Sequence, residues 1–213
     1  MKVMVRLLTM TLWLVSTTAL AQAPAAPVPA PTPSGADETL LAGPITHGGF
    51  GGPMVAYTRL NGEDAVLVGG RGGWLINHRL LIGGGGWGIA NRISVPAGAI
   101  ASEAEHRLTF GYGGFWTEYI VQPSRLVHGS VGLLIGGGEL QYARVHGDSM
   151  TAVVSDPVFV MEPSLNAEVN LASFVRLTLS AGYRFVAGVD LNGLDAGDVA
   201  GFVGGAMLKF GSF

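Results

Sequence analysis

From Gly48 onward apolar and polar residues alternate with a period of two, and no stretch carries the 3.6-residue periodicity of an amphipathic helix. The pattern is cleanest over 157–187. Phe159, Met161, Leu165, Ala167, Val169 and Leu171 occupy one parity, while Glu162, Ser164, Asn166, Glu168 and Asn170 occupy the other. After Ala172 to Phe174 the alternation resumes, with Val175, Leu177, Leu179, Ala181, Tyr183 and Phe185 against Arg176, Thr178, Ser180, Gly182 and Arg184. If Leu171 pairs with Val175, every cross-strand pair sums to 346, setting Glu162 opposite Arg184 and Asn170 opposite Arg176. Opposite charges then meet on the polar face, which supports that register.

Reading outward from this hairpin predicts eight strands, near 49–60, 65–76, 79–91, 105–120, 126–142, 157–171, 175–187 and 198–210. Short connections follow the second, fourth and sixth strands, at Asn77-His78, Val121 to Arg125 and Ala172 to Phe174. Longer ones follow the third, fifth and seventh, at 92–104, 143–156 and 188–197, while the first is a tight turn at Asn61-Gly62-Glu63-Asp64. Gly70 to Trp74 resembles Gly111 to Phe115, and Leu80 to Gly85 resembles Leu133 to Gly138, as in a meander of similar hairpins.

Composition changes what such a sheet can be. Mean hydropathy is +0.42, only 13% of residues are charged, and 34 of 213 are glycine. That is too little charge to clothe a water-soluble exterior, yet no later segment offers the ~18 unbroken apolar residues that a spanning helix requires. A chain of this kind satisfies its backbone in lipid only by closing its sheet on itself. The fold expected is therefore all-β: a closed antiparallel up-and-down β-barrel of eight strands, of the transmembrane type. Lys2 and Arg6 precede an apolar run from Leu7 to Leu20 ending in Ala19-Leu20-Ala21, the layout of a secretory signal peptide. The domains read as signal peptide 1–21, a Pro/Ala-rich spacer 22–47 and a barrel 48–213. Cleavage would remove two cations and move the formal charge from −3 to −5. No cysteine is present, so disulfides and thiol chemistry are excluded.

Alternation alone does not say which parity faces in. A glycine-, serine- and threonine-rich exterior would be unstable and adhesive in water, whereas inward glycines let a small barrel close around a few long side chains. The lumen is therefore expected to hold a polar network of Arg71, Arg107, Glu162, Glu168, Arg176 and Arg184, with Glu162 and Arg184 as an ion pair. Tyr57, Trp74, Trp87, Trp116, Tyr183 and Phe210 fall near strand ends, where interfacial aromatics gather into two girdles.

Taken together, the leader, the strand count, the loop asymmetry and the terminal Phe213 resemble the small eight-stranded outer-membrane barrels of the OmpA-transmembrane and OmpX-like group, over Gly48 to Phe213. The resemblance implies a bacterial outer-membrane location, lipid as surroundings, and handling by periplasmic chaperones and barrel-assembly machinery. One departure stands out: Phe210, Leu208 and Ala206 are out of phase with Phe213, with Gly211-Ser212 as a possible break.

Chemistry is sparse. His47, His78, His106, His128 and His146 lack ligand spacing, so no metal site is expected. Gly83 to Gly86 is followed by no lysine or threonine and opens no helix, so it is not a phosphate loop. The mature chain is acidic without a basic stripe, which argues against nucleic acid. The reading is a non-enzymatic surface protein with a structural, adhesive or interaction role, no cofactor and no wide pore. The alternative is a periplasmic lipocalin-like barrel holding an apolar ligand. An outer-membrane hydrolase would need His146, Asp148 and Ser149 to converge at one rim.

Overall fold

Asn61 and Gly62 both adopt positive φ, 48° and 76°, which matches the twist of a two-residue hairpin and lets strands β1 (His47–Leu60) and β2 (Glu63–Ile76) pair along their whole length. This computed structural model describes residues 45–100, 105–146 and 149–213, so the expected leader and most of the spacer lie outside the described residues. Asn77 and His78 again take positive φ, 51° and 57°, and turn the chain into β3 (Leu80–Ile89). After the short β4 (Ile93–Ser94) follow β5 (His106–Val121), β6 (Val127–His146), β7 (Ser149–Ala172) and β8 (Val175–Ala187). A single-turn helix α1 (Ala196–Val199) precedes β9 (Gly201–Ser212).

Every pairing is antiparallel, and neighbours in the sheet follow chain order from β3 through β2, β1, β9, β8, β7 and β6 to β5. β3 then pairs with β5 from Leu80↔Tyr119 to Gly88↔Gly111, closing the ring. Eight long strands form the wall, and β4 adds only Ile93 and Ser94 beside the start of β5. The β7–β8 register follows the expected sum of 346 from Phe159↔Ala187 to Asn170↔Arg176, then slips by one at Ala172↔Val175. The β1–β9 ladder skips Gly52 and Pro53, and the β7–β8 ladder skips Glu162 and Pro163. Both gaps contain a proline, which has no N–H to donate.

The expected loop 143–156 is instead mostly strand. A bulge between Tyr142 and Ala143 resets the alternation, and β6 and β7 continue as a hairpin past the point where β8 ends at Ala187. The expected strand start at 198 is replaced by α1, because Asp195 accepts from the N–H groups of Gly197 and Asp198 while Asp198 answers with a capping-box bond.

Outward residues are apolar around the ring: Val55, Val68, Phe115, Val131, Phe159, Leu165, Leu179 and Leu208 are all exposed. Inward glycines make room for tryptophan. A Cβ on Gly85 would meet the Trp87 ring at 2.8 Å and Arg71 Cβ at 2.7 Å, and one on Gly132 would collide with the Trp116 ring. Gly204 points outward with nothing within 4 Å. Replacing Gly132 by valine should cost about 1–3 kcal/mol through overpacking. Gly204→Val should change stability by less than about 0.5 kcal/mol. Urea unfolding of the refolded barrel separates the two, and equal effects would contradict the inward and outward assignment.

Candidate functional site

The barrel interior is divided by height. Toward the long-loop end it is an apolar core of Leu60, Leu67, Leu108, Phe110, Leu140, Val158, Val160 and Val203, joined by Ile93 and by Leu191, Leu194 and Val199 from the β8–β9 loop. That loop is tied into the mouth. Arg184 donates twice to the Val199 carbonyl, at 2.7 and 3.0 Å, Tyr142 donates to the Asn192 carbonyl at 2.7 Å, and the Asn61 N–H bonds the Asp198 carbonyl at 2.8 Å.

Toward the short-turn end the interior is charged. Lys209 Nζ donates to both oxygens of Glu118, at 3.2 and 3.3 Å, and to Glu168 Oε1. Ser130 donates to Glu118 and receives from Asn166 Nδ2 at 3.1 Å. Glu168 also accepts from Thr178 at 3.3 Å, lies 3.2 Å from His128 Nε2, and faces Arg176 at 3.7 Å. Trp116 Nε1 donates to Glu118 at 3.2 Å, and its ring lies under the Arg71 guanidinium at 4.0 Å. Between the two halves Tyr112 donates to Glu162 at 2.5 Å.

Of the residues expected in the lumen, Arg71, Glu162, Glu168, Arg176 and Arg184 are buried inside the wall. Arg107 is not. It has the parity opposite to buried Leu108 and Phe110, lies at the start of β5 and pairs with Glu105 at 2.8 Å, which holds the Glu105 carboxyl below the usual carboxylate range. Nor does Glu162 pair with Arg184. The register on either side would set them opposite, but the ladder skips Glu162, and Arg184 reaches to Val199 and Thr58 while Glu162 takes the Tyr112 hydroxyl. Sequence reasoning missed Lys209, Glu118, His128 and Tyr112. Lys209 was findable, because it stands out of phase with Leu208 and Phe210.

The aromatic assignment also divides. Tyr57, Trp74 and Phe210 are exposed on the outer face, and Tyr183 is half-buried there against Phe185 and Phe202. Trp87 and Trp116 instead point inward, 5% and 1% exposed. Height along a strand does not decide direction; parity does, and glycines on both sides of Trp87 hide its parity. Tyr119 and Phe174 add to Trp74 and Phe210 at the short-turn end, and Phe202 and Phe185 add to Tyr57 at the other.

Among the described residues no group of three or more histidine, aspartate or glutamate side chains could hold a metal. His47 stacks on Trp74 and His78 hydrogen-bonds Thr46. Asp148 and the side chain of Ser149 lie outside the described residues, so the rim convergence with His146 is not visible.

No protein-family model and no curated protein sequence matches the chain. Its fold is similar to that of Neisserial surface protein A, at 10% identity over 80% of this chain and 99% of that one, with a TM-score of 0.51. The N-terminal β-barrel domain of Pseudomonas aeruginosa OprF (9% identity, 76% and 96% covered, TM-score 0.47) was also found. So was Ail, the attachment invasion locus protein of Yersinia pestis (12%, 78% and 95%, 0.41). These neighbours are small eight-stranded outer-membrane β-barrels.

Lys209 bridges two buried carboxylates, so removing it leaves buried negative charge with much less compensation. Lys209→Met should destabilise the barrel by about 3–5 kcal/mol, and adding Glu168→Gln should recover part of that loss. Denaturant titrations of both variants check this, and a Lys209→Met barrel as stable as the parent would show that the network carries little energy.

Proposed function

We propose that this chain is a non-enzymatic outer-membrane barrel that reaches its site through periplasmic chaperones and barrel-assembly machinery and acts by surface interaction at its long-loop end. The observation that carries the reading is a closed ring with a band of exposed apolar side chains on its outer face, while Arg71, Glu118, Glu162, Glu168, Arg176, Arg184 and Lys209 are buried inside it. Exposed apolar side chains on seven of the eight wall strands would adhere in water, whereas in a bilayer they meet hydrocarbon. Two groups of outward aromatics at opposite ends support the same orientation in a membrane.

The long-loop end offers contact surface. The β6–β7 hairpin stands above the ring, with Met150, Val153 and Val154 exposed on it. The interior is occupied at every height, by the apolar loop plug above and the ion network below, which supports a barrel without a wide pore. A lipocalin-like binder would invert the pattern, with charge outside and an apolar hollow within.

Cell fractionation with gel mobility before and after boiling tests the location. Recovery with outer membranes and a heat-dependent mobility shift are expected, and detergent-free recovery from the periplasm would favour the binder. In planar bilayers the refolded protein should show no large stable conductance, and porin-sized steps would overturn the filled lumen.

A further inference from the structure

The short-turn end carries a cavity of about 420 Å³ lined by Asn77, His78, Pro123, Ser124, Arg176 and Phe213. Arg176 is the cation in its wall, and it is only 6% exposed. Its Nη1 has no hydrogen-bond partner within the described protein, and the nearest carboxylate oxygen, on Glu168, stands 3.7 Å from that nitrogen. Glu168 is already engaged by Lys209, Thr178 and His128, so little of its charge is left for Arg176.

Counting the buried charges of the described interior gives four cations (Arg71, Arg176, Arg184, Lys209) and three carboxylates (Glu118, Glu162, Glu168), a surplus of one positive charge. The other three cations have partners. Lys209 bridges two carboxylates, Arg184 bonds Val199 and Thr58, and Arg71 lies on Trp116 with its Nε toward Met207 Sδ. Arg71 Nη2 and Arg184 Nη1 are also without a hydrogen bond, but of the four cations only Arg176 lines this cavity. The Phe213 ring covers its flat face at 4.0 Å, which leaves the in-plane N–H edge as the direction from which a ligand can bond.

We infer that this mouth is a binding site for an oxyanion, a phosphate or carboxylate group held on the Arg176 fork. A guanidinium presents parallel donors that match two oxygens of such a group, and a buried cation gains most from a ligand that brings the missing charge. The Ser124 hydroxyl and the Asn77 and His78 side chains line the same space and supply further polar contacts. The site does not depend on which way the barrel sits in a membrane.

The test uses the full-length mature chain, refolded in detergent and titrated calorimetrically with inorganic phosphate and, separately, with acetate at constant ionic strength. Saturable binding of at least one probe is expected, and the tighter of the two tells a phosphate source from a carboxylate source. Arg176→Met should weaken binding about tenfold or more, the scale of a lost charge-assisted pair. Because that variant disturbs the Glu168 side of the network, Ser124→Glu is the companion: Ser124 is exposed at the rim, and the new carboxylate would occupy the site itself. Binding absent in the parent, or unchanged in Ser124→Glu or in an Arg176→Met barrel that keeps its heat-modifiable mobility, would overturn the inference.

Discussion

The structure depends on one ladder, the pairing of β3 with β5. Seven other strand contacts make a sheet, and this one makes it a ring. Without it two edges of unpaired N–H and C=O groups would remain, a condition that water tolerates and hydrocarbon does not. Once the ring closes, each side chain has only two choices, toward the axis or away from it. The division of the sequence into an oily outer set and a mixed inner set follows from that geometry. The closing ladder is itself glycine-rich, with Gly85 and Gly86 against Gly114 and Gly113 and Gly88 against Gly111. Backbones without side chains approach closely there, and the bulk of Trp87 and Trp116 fills the space inside.

A ring this narrow must fill its interior, and the chain does so in two ways. At the long-loop end it uses the means of a soluble core, with leucines and valines from wall and loop excluding water. At the other end it uses charge, which costs desolvation and is tolerable only when each carboxylate has several donors. Glu118 meets Lys209, Ser130 and Trp116, and Glu168 meets Lys209, Thr178 and His128. Such shared partners couple β5, β6, β7, β8 and β9 across the axis, which backbone pairing alone does only between neighbours.

Much of this was legible in the residues. The β7–β8 register could be read because two long alternating runs meet at a short turn and allow one solution. The closed barrel followed from hydropathy without spanning helices. What escaped had physical reasons. The hairpin beyond Tyr142 was hidden by a bulge, which reverses the parity that strand reading relies on. Trp87 lies among glycines, which carry no apolar or polar mark, so only its height could be read. Arg107 was placed inside although its neighbours Leu108 and Phe110 already held the inward parity. For Glu162 and Arg184 the register around them follows the expected sum but the ladder is interrupted at Glu162, and the pair does not form, because a long flexible arginine chooses among every acceptor within reach.

The unequal halves of the interior give the barrel a direction. A charge entering from the long-loop end must first cross an apolar layer held shut by Leu191, Leu194 and Val199, where the polar groups present, Arg184, Thr58 and Tyr142, already bond one another or the loop backbone. A charge arriving at the short-turn end meets Arg176 at once and finds part of that compensation in place. The barrier to passage therefore lies at one level of the wall and not along its whole length. An interior filled in this way fits the proposed barrel without a wide pore.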